Sequence, residues 1–167
     1  MSGIHIAPAT RADVPAVLDM IRGLAEFERL GALCIATEDD VERALFGDKT
    51  AVEVVVAWEG DKTAGFALFF HNFSTFLGRR GLYLEDLFVR PSFRRRGYGR
   101  ALLIYLARVA VERGCGRFEW TVLDWNAAAI GFYEELGAQV LPDWRITRVT
   151  GAALAALAAQ PLMPTGR

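Results

Sequence analysis

The sequence predicts one mixed α/β domain built on a twisted sheet of six to seven strands, antiparallel at first and parallel around a crossover. Three observations carry this prediction. Short alternating or β-branched runs at 4–8, 52–58, 63–70, 82–89, 117–123, 138–141 and 145–149 read as strands. Segments with apolar residues at helical spacing separate them. The resulting order, βααββ-β-α-β-α-β-β, mixes hairpins with crossover helices, and so calls for a mixed sheet.

Each element has a local reason. Thr10 and Asp13 form a capping-box pattern with aspartate in place of glutamate. Val14, Val17, Leu18, Ile21, Leu24 and Ala25 then recur on one helical face, and the helix is expected to run to about Glu28, with Gly31 stopping it. Thr37 is placed to cap a second helix over 38–46, ended by Gly47. Glu59-Gly60-Asp61-Lys62 reads as the turn of a hairpin, and 72–80 as a loop leading to strand 82–89. Leu102, Leu103, Leu106, Val109 and Ala110 give a long helix its apolar face, and Gly114 closes it. Asn126 opens another helix that ends before Gly137, and Thr150 caps a short Ala/Leu helix. One domain over 1–167 is expected, with about 160–167 as a flexible tail.

Composition narrows the function. The 167 residues are 53% hydrophobic and 23% charged, values of a folded domain with a sizeable core. A net charge of −1 gives no reason to expect nucleic acid or an anionic membrane as partner. Cys34 and Cys115 have no metal spacing and read as buried, reduced thiols, and neither His5 nor His71 has a metal partner in sequence, so no metal is expected. The N-terminus lacks the basic and apolar regions of a signal peptide, and no apolar run is long enough to span a bilayer. The expectation is a soluble, cytoplasmic protein.

The chemistry is concentrated where strand 82–89 (Leu-Tyr-Leu-Glu-Asp-Leu-Phe-Val) meets Arg94-Arg95-Arg96-Gly97-Tyr98-Gly99 and the helix that follows. Unpaired N–H groups at a helix start converge on an anion, and the helix dipole favours negative charge there. Two glycines let the main chain approach a ligand, and arginines at 90, 94, 95, 96 and 100 suit phosphate oxygens. A Walker loop is excluded because Arg100-Ala101 follows the glycine, and a dinucleotide fingerprint because Leu102 stands where its third glycine would be. An ordinary basic strand-to-helix turn is the plain alternative.

Arg-x-x-Gly-x-Gly after an apolar strand resembles the acyl-coenzyme-A loop of the GNAT acetyltransferases. Ile6-Ala7-Pro8-Ala9-Thr10 with Asp13, Leu24-Ala25-x-Phe27-Glu28, the Leu-Tyr-Leu-Glu-Asp strand, Trp125-Asn126, Phe132-Tyr133-x-x-x-Gly137 and Trp144-Arg145 narrow the likeness. Together, from about 4 to 150, they look like the diamine (spermidine/spermine) and thialysine acetyltransferase branch. The resemblance implies helices on both sheet faces and a splay between two parallel strands, the one ending at Val89 and Arg117–Leu123. It also implies acetyl-coenzyme A as co-substrate, a small-molecule amine as acceptor, and a homodimer, to which the apolar Ala/Leu helix at 152–159 would contribute.

Acetyl transfer to an amine needs a neutral nucleophile, donors for the thioester oxygen, a proton for the leaving thiolate and aligned substrates. Glu85 is the candidate to receive the amine proton, directly or through water; a solvated strand end is the plain alternative. Asp86 points to the opposite face if the strand is regular, and a bulge, which the family carries here, would change that. The resemblance gives the Leu87 N–H to the thioester oxygen and the Val89 main chain to the pantetheine, with Phe88 between them. It gives Arg94, Arg95, Arg96, Gly97, Tyr98, Gly99, Arg100 and Ala101 to the pyrophosphate. Tyr133, seven residues after Asn126, suits the general acid, though a core tyrosine and a helix N-cap are the plain readings of the two. Glu28 matches an acidic residue that binds the distal amine. Phe27 and Phe76 stand where the polyamine branch has tyrosine and tryptophan, which weakens the case for spermidine itself, and a smaller diamine or an ω-amino acid such as thialysine or lysine fits equally well. A protein lysine or N-terminal acetyltransferase uses the same chemistry, and a non-catalytic acyl-coenzyme-A-binding module would use the same loop.

Overall fold

The computed structural model describes residues 3–162, so the expected tail lies outside the described residues from Met163 onward. The chain divides into two compact units, residues 1–121 and 122–167.

Unit 1 contains β1 (His5–Pro8), α1 (Val14–Phe27), α2 (Glu38–Phe46), β2 (Glu53–Glu59), β3 (Lys62–Ser74), β4 (Arg79–Val89), α3 (Tyr98–Glu112) and β5 (Phe118–Trp120). The sheet runs in the order β1-β2-β3-β4-β5. The first three pairings are antiparallel and β4–β5 is parallel, as the mixed order requires. Among the described residues, five strands replace the expected six to seven.

Alternation along the strands sends successive side chains to two layers. Val54, Val56, Phe66 and Phe88 meet Val14, Val17, Leu18 and Met20 of α1 on one face. Val55, Ala57, Ala67 and Phe69 are also buried and point the other way, towards α3, whose Leu102, Leu103, Leu106 and Ala110 are buried. Each fully buried aliphatic side chain contributes about 1.5–3 kcal/mol. The spacing of α1 and β4 depends on Gly23. A Cβ there would lie 2.8 Å from Cζ of Phe88, so the helix approaches the sheet only because that atom is missing.

The expected caps at Thr10 and Thr37 form, whereas Thr150 stands at the start of its helix without a side-chain cap bond. The Asp13 carboxylate accepts from the Thr10 N–H (2.7 Å) and hydroxyl (2.8 Å). Thr37 and Asp40 bond reciprocally at the start of α2. Gly31 does not stop α1. Arg29 takes the left-handed conformation (φ 62°), and Arg29 and Leu30 donate to the Glu26 and Ala25 carbonyls, at 3.0 and 2.8 Å. This Schellman closure ends α1 at Phe27 with Glu28 as its C-cap, close to the expected end, and puts the left-handed residue two positions before Gly31.

The expected loop at 72–80 is largely hairpin. Asn72, Phe73 and Ser74 pair with Gly81, Arg80 and Arg79, leaving 75–78 as the turn. His71, Asn72 and Ser74 look like loop residues in sequence, but a partner strand overrides that local preference. At the other edge β5 is only three residues long, not the expected 117–123. The thiols of Cys34 and Cys115 are free and half-buried, not buried as expected.

Unit 2 holds α4 (Ala127–Glu135) and α5 (Gly151–Ala158). Residues 138–141 and 145–149 form no strand: alternation supplies a face but no partner ladder, and Pro142 between them lacks a backbone donor. No helix among the described residues is long and apolar enough to cross a membrane.

Candidate active site

The centre of the site is a bulge in β4. Phe69 pairs with Leu84 and Leu68 with Asp86, so Glu85 is an extra residue with no opposite number. The strand is therefore not regular here, and the bulged alternative for Asp86 is the one that forms. The bulge carries it to the register position of Leu68, on the face covered by α1, where it is partly buried.

The second consequence of β4 lies in its backbone. β5 pairs only with Leu82, Tyr83 and Leu84, so beyond the bulge that edge of β4 has no strand partner. Arg90 donates to the Ala64 carbonyl (2.9 Å), which makes Gly65–Val89 a pair whose own main-chain groups point away from each other. Val89 and, two residues earlier, Leu87 thus turn their N–H and C=O groups to the open edge. Phe88 turns its main chain to β3 and its buried ring to α1, so it offers the edge nothing.

Beyond Val89 the loop leads into α3 through two left-handed residues, Arg95 (φ 59°) and Gly97 (φ 87°). The first helical bond is Ala101 N–H to the Gly97 carbonyl (2.9 Å), which commits the Ala101 amide. The preceding amides of the first turn keep no helical acceptor, as at any helix start. The Tyr98 ring is buried and meets Phe93 edge-on at 5.6 Å, so this residue has only its backbone to offer a ligand.

Most of the arginines are engaged by the protein. Arg90 pairs with Asp19 (2.5 Å), and Arg96 with Glu59. Nε of Arg94 donates to the Val89 carbonyl (3.0 Å), and its guanidinium stacks over Phe27 (4.9 Å) and Phe88 (5.6 Å). Arg95 and Arg100 are exposed.

At the bulge, Glu85 and Asp86 share a corner with Glu28 from the end of α1. Burial, then the negative charges of Glu85 and Glu28, push the Asp86 carboxyl up to about 6. Burial also raises Glu28. The corner gathers three carboxylates, and Phe27 directly precedes Glu28.

Phe76 is not brought to this corner. It is fully exposed at the tip of the β3–β4 hairpin, beyond Arg79. Arg79 and Glu85 are six residues apart along β4, roughly 20 Å at ~3.3 Å per step.

In unit 2, Asn126 caps α4, its Oδ1 accepting from Ala129 N–H (3.3 Å), which is the plain reading of that residue. Tyr133 lies two turns further along, half-buried, with its ring 5.5 Å from Phe132. No group of side chains among the described residues has metal-ligand geometry.

Comparison with known proteins agrees with this architecture. L-ornithine N5-acetyltransferase of Arabidopsis thaliana is 37% identical over 92% of this chain and 87% of its own length. Thialysine N-epsilon-acetyltransferase of Caenorhabditis elegans is 35% identical over 92% and 96%. Among solved structures, an integron cassette protein from the mobile metagenome of V. cholerae superposes with a TM-score of 0.80 at 29% identity, covering 96% of this chain and 99% of that one. A ribosomal-protein-alanine N-acetyltransferase from Brucella melitensis shares the fold, with a TM-score of 0.67 at 18% identity over 88% of this chain and 100% of its own. The model of the acetyltransferase (GNAT) family matches residues 19–138, and the chain belongs to that family of acetyltransferases.

Proposed function

We propose that this acetyltransferase moves the acetyl group of acetyl-coenzyme A to the primary amine of a small molecule, by direct attack of the amine on the thioester. The observation that carries the reading is the bulge at Glu85. It sets an acidic corner beside a strand edge whose Leu87 and Val89 main chains can pair with an extended ligand.

Leu87 N–H would donate to the thioester oxygen as charge develops on it. The Val89 main chain would pair with the pantetheine amides, and the amides of residues 95–100 would hold the pyrophosphate, with Arg95 and Arg100 as its charged donors. A cationic amine is attracted by Glu28, Glu85 and Asp86. An alkylamine of pKa ~10.4 must lose a proton before attack, and Glu85, with Asp86 beside it, is the acceptor we assign. Tyr133 would protonate the departing thiolate. Asn126 uses only Oδ1 for its cap, which leaves Nδ2 to donate to the donor substrate.

The acceptor class we favour is an ω-amino acid of the thialysine or ornithine type, because the relatives bear those names and Phe27 lacks the hydroxyl expected for a polyamine site. A homodimer in solution is part of the proposal, and sedimentation giving only monomer at micromolar concentration would end it. The main test is a panel of thialysine, ornithine, lysine, putrescine and spermidine, with acetyl-coenzyme A and free thiol as readout. Turnover with an ω-amino acid supports the reading. Turnover only with a protein lysine, or none with any amine, would sink it.

A further inference from the structure

Arg94 opens the glycine loop, where a phosphate donor is expected, yet its side chain is directed elsewhere. Its Nε donates to the Val89 carbonyl at 3.0 Å, and its guanidinium lies 4.9 Å from the Phe27 ring and 5.6 Å from the Phe88 ring. These contacts join three separate pieces of chain: the loop, the open edge of β4, and the last turn of α1. Phe27 is 43% exposed, and the Arg94 cation over its face is one of the contacts that restrain it. Glu28 follows it directly, and Asp86 lies two residues before Phe88.

We infer that Arg94 is a positioning residue for the amine site, holding the Phe27–Glu28 end of α1 against β4, and not a ligand of the donor's phosphates. The inference rests on the acidic corner being the amine site. The tie has a geometric requirement. A planar guanidinium can stack on a ring and donate in its own plane at once, whereas a lysine ammonium can do only one of these well. Arg90 and Arg96 do not duplicate it, since they are held by Asp19 and Glu59.

Steady-state kinetics at saturating acetyl-coenzyme A, with calorimetry of donor binding, test this in Arg94→Ala, Arg94→Lys, Phe27→Leu and the Arg94→Ala/Phe27→Leu double variant. Arg94→Ala should raise the amine KM about three- to tenfold and change donor affinity less than twofold. Arg94→Lys should recover only part of the loss. The double variant should be no worse than the poorer single variant, because both remove one contact. The increase should be the same for ornithine and for putrescine. A loss confined to carboxylate-bearing acceptors would mean direct contact with substrate and would overturn the positioning role. So would additive effects of the two substitutions, or a donor affinity that falls tenfold while the amine KM stays put. A wild-type chain that acetylates no amine would remove the underlying site assignment too, an outcome visible before any variant is made.

Discussion

The two ends of the open β4 edge carry opposite charge and treat it in opposite ways. Around the glycine loop, Arg90, Arg94 and Arg96 are held by a carboxylate or a carbonyl of the protein. Around the bulge, no cation enters the balance on Asp86, whose carboxyl is raised by burial and by two neighbouring carboxylates. The basic end is largely engaged internally, leaves Arg95 and Arg100 exposed, and presents backbone. The acidic end is left in a state that an incoming cation would relieve. On the function proposed above, a donor with many phosphate contacts would be held by main-chain amides, whereas a small amine, with little to offer besides its charge, would meet carboxylates that no cation of the protein offsets.

That contrast can be broken at several points. The largest effect is expected where neither end acts, at the leaving thiolate. Tyr133→Phe should lower turnover about 10²–10⁴-fold with donor affinity unchanged, as measured by single-turnover rates. Full turnover would return the residue to a packing role.

At the acidic end, Glu85→Gln and Asp86→Asn should each lower kcat/KM about 10–100-fold at pH 7. The loss from Glu85→Gln should shrink towards pH 10, where the amine is already neutral. Wild-type kcat/KM should rise with pH through an acid limb near 6, belonging to the coupled cluster, and Asp86→Asn should move that limb to lower pH.

At the basic end, Gly97→Val should weaken acetyl-coenzyme A binding about tenfold by calorimetry. A Cβ at Gly97 has room, with Ile4 Cδ1 at 3.9 Å, so the penalty comes from φ of 87°, a conformation costing a residue with a side chain about 1–2 kcal/mol. Arg95→Ala and Arg100→Ala should cost about threefold each and less in high salt, and Arg96→Ala less than either.

The smallest effect is on stability. A carboxyl with folded pKa of about 6 and ordinary value 3.8 binds its proton more tightly in the folded state. Stability therefore falls as pH rises from about 4 to about 6 and is flat above. Asp86→Asn should remove that slope and raise stability at pH 7 by about 1–2 kcal/mol, read from denaturant titrations at both pH values. An unchanged slope would assign the raised carboxyl to Glu28.

The local parts of this arrangement were legible in the sequence and the contacts across it were not. Caps at Thr10 and Thr37, the span of α2 and the left-handed Gly97 and Gly114 depend on near neighbours, and the pattern foretold them. The stack of Arg94 on Phe27 joins residues 67 apart, and nothing in either segment announces it. The left-handed Arg29 was also hidden, since that conformation is the habit of glycine and one stood two residues away. Strands at 138–149 were misread for the complementary reason: a strand is a property of a pair, and alternation describes only one member.

Gly23 acts as a gauge for the amine end of the molecule. Glycine inside a helix costs about 0.5–1 kcal/mol relative to alanine, so Gly23→Ala on propensity alone would stabilise α1. Here the added methyl would meet the Phe88 ring at 2.8 Å, a ring that also backs Arg94 and shares β4 with Asp86. One carbon atom would thus be levered over five residues to the end of α1. The packing of the Phe27–Glu28 end of α1 on β4 is therefore exposed to a substitution at a position where a helix-optimising design would place alanine first.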